Sequence, residues 1–168
     1  MYRAISDKEL EPFDQVVATT DDIRERCYVI VKDLKKVFSE PAVEERIGLE
    51  IEEVDGEEIY ASLKCPLGSG RLRLAWSNWQ RQDGSYEIVG TLLVERRILT
   101  EQSKEEGKWQ PVWAIMVPAH GDPWVGPNGG GLTLLYSRHL GNHKNTSLYS
   151  AGLSMIYAIG SGPQLLDS

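Results

Sequence analysis

The apolar residues of this chain change their spacing near residue 47, and this change limits the folds that the chain can adopt. Before residue 47, apolar residues recur at intervals of three and four and predict the buried face of an amphipathic helix. They are Ile23, Cys27, Ile30, Val31, Leu34, Val37 and Phe38. From residue 47 onward, apolar and polar residues alternate, as they do in a strand with one buried face. We therefore expect an α+β fold in which a helix packs against a sheet.

One or two helices are predicted at the N-terminal end. Ser6 is suited to cap a short helix that ends near Val17, with Pro12 either inside it or at the start of a new turn. Thr20 is suited to cap the long amphipathic helix, because its side-chain oxygen can accept a hydrogen bond from a free backbone N–H of the first turn.

Two hairpins are predicted after the helices. Asp55-Gly56 and Asp83-Gly84 each stand between alternating segments, and this dipeptide favours tight turns between antiparallel strands. Gly90 lies inside the long strand that follows the second turn, where a glycine predicts a bulge or a bend.

The remaining segments complete a meander of six or seven strands. Residues 109–118 are apolar at both alternating sets of positions, which is typical of a strand covered on both faces. Residues 147–159 alternate and favour a strand, although Leu148, Gly152, Met155 and Ile159 also fit a helical stripe. The prediction is one domain over residues 1–160, with N-terminal helices on a curved, mainly antiparallel sheet that approaches a barrel, and a flexible tail over residues 161–168.

The charge is concentrated in the first part of the chain. The net charge is −7, and residues 1–65 hold seventeen acidic against nine basic residues, whereas residues 111–168 hold two of each. An acidic surface disfavours nucleic acid and anionic membranes, because both are bound mainly by Lys and Arg. No apolar run approaches the roughly 20 residues of a spanning helix, and the charged first residues do not resemble a signal peptide. We therefore expect a cytoplasmic protein.

Known catalytic motifs each lack a required residue. Residues 126–133, GPNGGGLT, have no lysine for a phosphate-binding loop, and residues 152–156, GLSMI, lack the closing glycine of a nucleophile elbow. Cys27 and Cys65 lie on apolar faces, where a thiol is usually structural. The spacing of His139 and His143 would suit two metal ligands on one helical face, but residues 140–142 predict a turn, and a whole strand separates His120 and Asp122 from them, so no metal site is predicted. The sequence thus predicts no cofactor, no metal and no catalytic residue.

The leading hypothesis is a small binding protein that occupies the surface of another protein, as an inhibitor, an immunity protein or a chaperone-like adaptor does. Its acidic residues would contact a basic partner. The residues assigned to this contact are Glu52, Glu53, Glu57 and Glu58.

The alternative is a small-molecule-binding protein or an enzyme, with a pocket in the concave face of the sheet near residues 119–131. His120 and Asp122 would line this pocket together with Arg138 or His139, and Trp124 would cover it from the loop. A third possibility is a structural subunit that assembles through its weakly charged last third.

A small basic group is predicted on the middle strands. Arg71 and Arg73 alternate with leucines, and Arg96 and Arg97 belong to the neighbouring strand. We expect these arginines to pair with the acidic residues of the first hairpin.

Overall fold

The structure is a computed structural model that describes residues 7–56, 58–80, 82–84, 86–100, 103–125 and 144–161. In chain order its elements are α1 (Asp7–Phe38), α2 (Pro41–Ile47), β1 (Glu50–Glu53), β2 (Ile59–Cys65), β3 (Gly68–Gln80), β4 (Tyr86–Thr100), β5 (Ser103–Pro118), β6 (Trp124–Val125) and α3 (Lys144–Ser161). The six strands form one curled antiparallel sheet in the order β1-β2-β3-β4-β5-β6, and α1 packs against it. The predicted α+β fold is confirmed.

Helix α1 is continuous, so the predicted helix start at Thr20 is wrong. The Thr20 hydroxyl donates a hydrogen bond to the carbonyl oxygen of Val17 at 2.8 Å, a bond that a threonine can make inside a helix without ending it. The chain leaves the helix only after Phe38, and Pro41 begins α2, a position that needs no N–H donor. The predicted apolar face is confirmed, and six of its residues are buried. They are Ile23, Cys27, Ile30, Val31, Leu34 and Phe38.

Both predicted hairpins are present in the sheet. Strands β1 and β2 pair up to Glu53 and Ala61, and strands β3 and β4 pair up to Gln80 and Tyr86. Gly84 in the second turn has a φ of 84°, a value that glycine adopts without strain. The prediction that residues 109–118 are covered on both faces is confirmed for residues 112–118, which are all buried, but it is wrong for Trp109 and Pro111, which are exposed.

The bulge predicted at Gly90 is wrong. Gly90 pairs regularly with Trp76 on one side and Val117 on the other, whereas β4 and β5 shift their register between Val94 and Glu95. Gly90 has a different role, because a side chain there would collide with Ile23 of α1. The missing side chain lets α1 approach the sheet.

The strand favoured for residues 147–159 is wrong, because this segment belongs to α3. Its buried residues recur with the helical period and face the core; they are Leu148, Ala151, Met155, Ala158 and Ile159. Leu153 and Tyr157, which a strand would place on the same side as Ala151, Met155 and Ile159, are exposed. Gly152 lies against the Phe38 ring, which also stacks on Tyr149 with 5.8 Å between ring centroids. The close contact of this segment with α1 therefore favours a helix, although the alternating sequence favours a strand.

The core lies between the helices and one face of the sheet. It combines the buried side of α1 and α3 with inward residues of the strands, among them Leu63, Leu72, Leu92 and Ile115. Ser161 ends α3, and residues 162–168 of the predicted tail lie outside the described residues. No helix in the described ranges is both long enough and apolar enough to span a membrane.

Candidate functional site

The acidic excess of the chain lies in one segment, residues 40–58. Residues 40–58 hold nine acidic residues and one basic residue, a net charge of −8, while the whole chain carries −7. Eight of the nine acids are described, and all eight are exposed; they are Glu40, Glu44, Glu45, Glu50, Glu52, Glu53, Asp55 and Glu58. We call this group, carried by α2, β1 and the β1–β2 turn, the acidic surface. The rest of the chain is close to neutral.

The residues predicted for a partner contact belong to this surface. Glu52 and Glu58 are exposed, and Glu57 lies outside the described residues. Glu53 differs from them because its carboxylate accepts a hydrogen bond from Lys35 of α1 at 3.3 Å. Both side chains of that pair are partly exposed, so the pair contributes little to stability.

The acidic surface includes an edge of the sheet. Strand β1 stands at the end of the strand order, and the N–H of Val54 donates to the carbonyl oxygen of Tyr60 at 2.9 Å. Hydrogen-bonded pairs alternate along an antiparallel ladder, so Glu52 directs its backbone groups toward β2. Ile51 and Glu53 direct theirs away from the sheet. Within the described part of the chain, no other strand pairs with this edge.

The residues predicted for a small-molecule pocket lie at the opposite edge. His120 is exposed, Asp122 is half-buried, and Trp124 is half-buried in β6, paired with Met116 of β5. Trp124 thus belongs to a strand, not to the loop in which the sequence placed it. The sheet order separates these residues from Glu52, Glu53 and Glu58 by four strands. The two predicted sites are separate, and Arg138 and His139 lie outside the described residues.

The turn that carries His120 is fastened to α1. The guanidinium of Arg26 donates hydrogen bonds to the backbone carbonyl oxygens of Pro118 and Gly121. Gly121 has a φ of 91°, in the region where glycine is favoured. The position of His120 is therefore set by an arginine nearly a hundred residues earlier, which no local sequence pattern indicates.

A second group that the sequence did not predict lies between α1 and the sheet. Trp76 is 40% exposed, and the Arg24 guanidinium lies 5.4 Å from the centre of its ring. Trp76 belongs to the same face of β3 as the buried Leu72 and Leu74, but this end of the strand is partly uncovered.

The arginines of β3 pair with a residue of the neighbouring strand, so the expectation that they pair with the first hairpin is wrong. Arg71 donates to the Glu95 carboxylate at 2.6 Å and Arg73 at 3.0 Å, and Arg71 and Glu95 are direct cross-strand neighbours. Arg71 also stacks on the half-exposed Trp109, 4.3 Å from its ring centre. Burial acts to raise the pKa of Glu95, but the hydrogen bonds and charges of Arg73 and Arg71 outweigh burial and lower it.

The described residues offer little for nucleophilic or metal chemistry. Cys27 and Cys65 are buried, and burial raises the pKa of the Cys27 thiol to about 12, against a smaller opposite effect of Arg26. A protonated, inaccessible thiol is a poor nucleophile. In the ranges that the structure describes, no three His, Cys, Asp or Glu side chains are arranged to hold a metal ion.

The chain was compared with protein-family models, with curated proteins and with solved structures, and none of the three comparisons gave a match.

Proposed function

We propose that this protein acts by binding a basic protein partner on its acidic surface. The observation that carries the proposal is the concentration of a −8 net charge within residues 40–58 of a chain whose total is −7. Charges of one sign on one surface attract and orient a partner of opposite sign during diffusional encounter. The partner class that this surface favours is a protein segment rich in Lys and Arg. The protein would then act as an inhibitor, an immunity protein or an adaptor.

The open edge of β1 supports an extended conformation for the bound segment. Ile51 and Glu53 direct backbone hydrogen-bonding groups away from the sheet, and Glu50 and Glu52 have exposed side chains along the same strand. An added strand would gain main-chain hydrogen bonds from the edge and ion pairs from the glutamates. Exposed edges are usually protected against unwanted pairing, and the glutamates would serve that purpose by admitting only a basic segment.

A photo-crosslinking experiment tests this proposal. A photoreactive amino acid at position 52 should capture a protein in the source cells, and the captured segment should be rich in Lys and Arg. The control position is Gln82, an exposed residue of the β3–β4 turn outside the acidic surface. Equal capture at both positions, no capture at position 52, or a captured segment without net positive charge would contradict the proposal.

A further inference from the structure

A groove of about 360 Å³ lies between α1 and the ends of β3 and β4. It is lined by Thr20, Arg24, Trp76, Ser77, Asn78 and Ile88. Sites for small molecules usually measure roughly 300–1,000 Å³ and combine an apolar wall with a few polar groups. In this groove Trp76 and Ile88 supply the apolar wall, and Thr20 and Asn78 supply polar groups. Its size and lining therefore suit a small organic ligand.

Among the described residues that line the groove, Arg24 is the only charged one. Its guanidinium lies over the Trp76 ring, 5.4 Å from the centre, and its Nε is buried without a hydrogen-bond partner in the described ranges. Stacking on an aromatic ring restricts a guanidinium and leaves the edge of its plane able to donate to an anion. The groove is thus an apolar cleft with one oriented cation.

The acidic group paired with Arg24 is easily displaced. The Arg24 guanidinium is 3.3 Å from the Asp21 carboxylate, and 68% of the Asp21 side chain is exposed. A pair this exposed has little net strength, because water solvates both partners. A carboxylate bound in the groove would replace it, while the rest of the ligand gains contacts with Trp76 and Ile88.

We propose that this groove binds a small organic carboxylate. The carboxylate accepts hydrogen bonds from the Arg24 guanidinium, and the apolar body of the ligand lies against Trp76 and Ile88. None of the described residues that line the groove belongs to the acidic surface, and the binding requires no protein partner.

Titration calorimetry with two probes of nearly equal shape tests the proposal. Phenylacetate carries the carboxylate, and phenylacetamide replaces it with a neutral amide. Charge-assisted hydrogen bonds are the stronger ones, so we expect wild-type protein to bind phenylacetate about tenfold more tightly than phenylacetamide. Equal affinities, or no saturable binding of phenylacetate, would overturn the proposal.

Two substitutions in the same helical turn separate the roles of the charges. Arg24→Gln should reduce the affinity for phenylacetate to that for phenylacetamide. Asp21→Asn removes the competing carboxylate and should tighten phenylacetate binding severalfold while leaving phenylacetamide unchanged. Circular dichroism would confirm that both variants are folded. Retention of the preference for phenylacetate in folded Arg24→Gln would place the anion elsewhere and refute the assignment.

Discussion

Ile23 of α1 packs directly on the backbone of Gly90 in β4, and a side chain at position 90 would occupy the space of the Ile23 methyl group. Leu74 closes the same space from β3, with its Cδ1 at 3.2 Å from where a Cβ would stand. The contact lies where α1 crosses the sheet between Arg24 on the β3 side and Arg26 on the β5 side. It therefore fixes the distance between α1 and the sheet, both at the Arg24–Trp76 groove and at the turn that Arg26 binds.

Gly90→Ala should destabilise the fold by about 1–3 kcal/mol, the usual cost of overpacking a core. Urea unfolding measures the change. The control is Gly56→Ala, whose new Cβ would have Ile59 O as its nearest neighbour at 3.7 Å. The cost of Gly90→Ala should be smaller in an Ile23→Ala background than in the wild type, because the shorter side chain frees the space that the new Cβ needs. Equal effects of the two glycine substitutions would contradict the close approach.

Glu95→Gln should destabilise the protein by about 3 kcal/mol, because it leaves two arginines beside a buried neutral amide. The Glu95 side chain is only 4% exposed, whereas Arg71 and Arg73 are partly exposed and can recover some hydration. Urea unfolding at pH 7 measures the loss, and Glu52→Gln on the exposed face of β1 should change stability by no more than about 0.5 kcal/mol.

The ion pairs of Glu95 also predict that the free energy of unfolding depends on pH. The pKa of Glu95 is lower in the fold than its ordinary value of 4.5, so the ionised carboxylate stabilises the native state. This contribution is complete above the ordinary pKa and is lost as the pH falls through the lowered pKa. Unfolding free energies of wild type and Glu95→Gln should thus converge as the pH decreases below about 4.5. A difference that is constant from pH 7 to pH 3 would contradict the ion pairs.

Cys27 should react with a thiol reagent only when the protein opens. Its side chain is fully buried, and burial raises its pKa to about 12, so little thiolate is present at pH 8. In a Cys65→Ser variant, the labelling rate of Cys27 should increase with urea in parallel with the unfolded fraction. Labelling of the native state at the rate of a free peptide thiol would contradict this placement.

Arg26→Ala should release the turn at residues 118–121. Hydrogen exchange at the amides of residues 119–121 should accelerate, because the carbonyl oxygens of Pro118 and Gly121 lose their common donor. We expect a loss of global stability of about 1 kcal/mol. Lys36→Ala, at an exposed position of the same helix, is the control and should leave the turn unchanged. Unaltered exchange in Arg26→Ala would show that the turn is held by other contacts.

The sequence predicted the helix face and the hairpins correctly, because both depend on residues that are close together in the chain. The stripe from Ile23 to Phe38 predicted the buried face of α1, and Asp55-Gly56 and Asp83-Gly84 predicted the hairpins. The start of α1 was misplaced because Thr20 fits both a cap and a helix interior, depending on whether its hydroxyl bonds forward or back. The α3 segment was misassigned because its small and apolar residues satisfy both periods, and the packing of one helical face against α1, with Gly152 at Phe38, distinguishes them.

The candidate sites were predicted only in part, for a similar reason. The acidic surface was visible in the sequence because its residues lie close together in the chain. The Arg24–Trp76 groove and the Arg71–Glu95–Arg73 cluster join residues that are far apart in the chain, so their formation depends on register and helix position. Arg24 therefore had no distinguishing signal, and Arg71 was identified as part of a basic group but with the wrong acidic partner.

The most direct test of the proposed function compares two variants with matched charge reversals. The measured quantity is the affinity of each variant for the protein captured at position 52. Glu52→Lys/Glu58→Lys and Asp22→Lys/Glu25→Lys change the net charge equally, but only the first pair alters the acidic surface; all four residues are exposed. The account predicts that the first pair weakens binding about tenfold or more and that 0.5 M salt reduces this difference. Equal weakening by both pairs, or a partner affinity that does not respond to either, would contradict it.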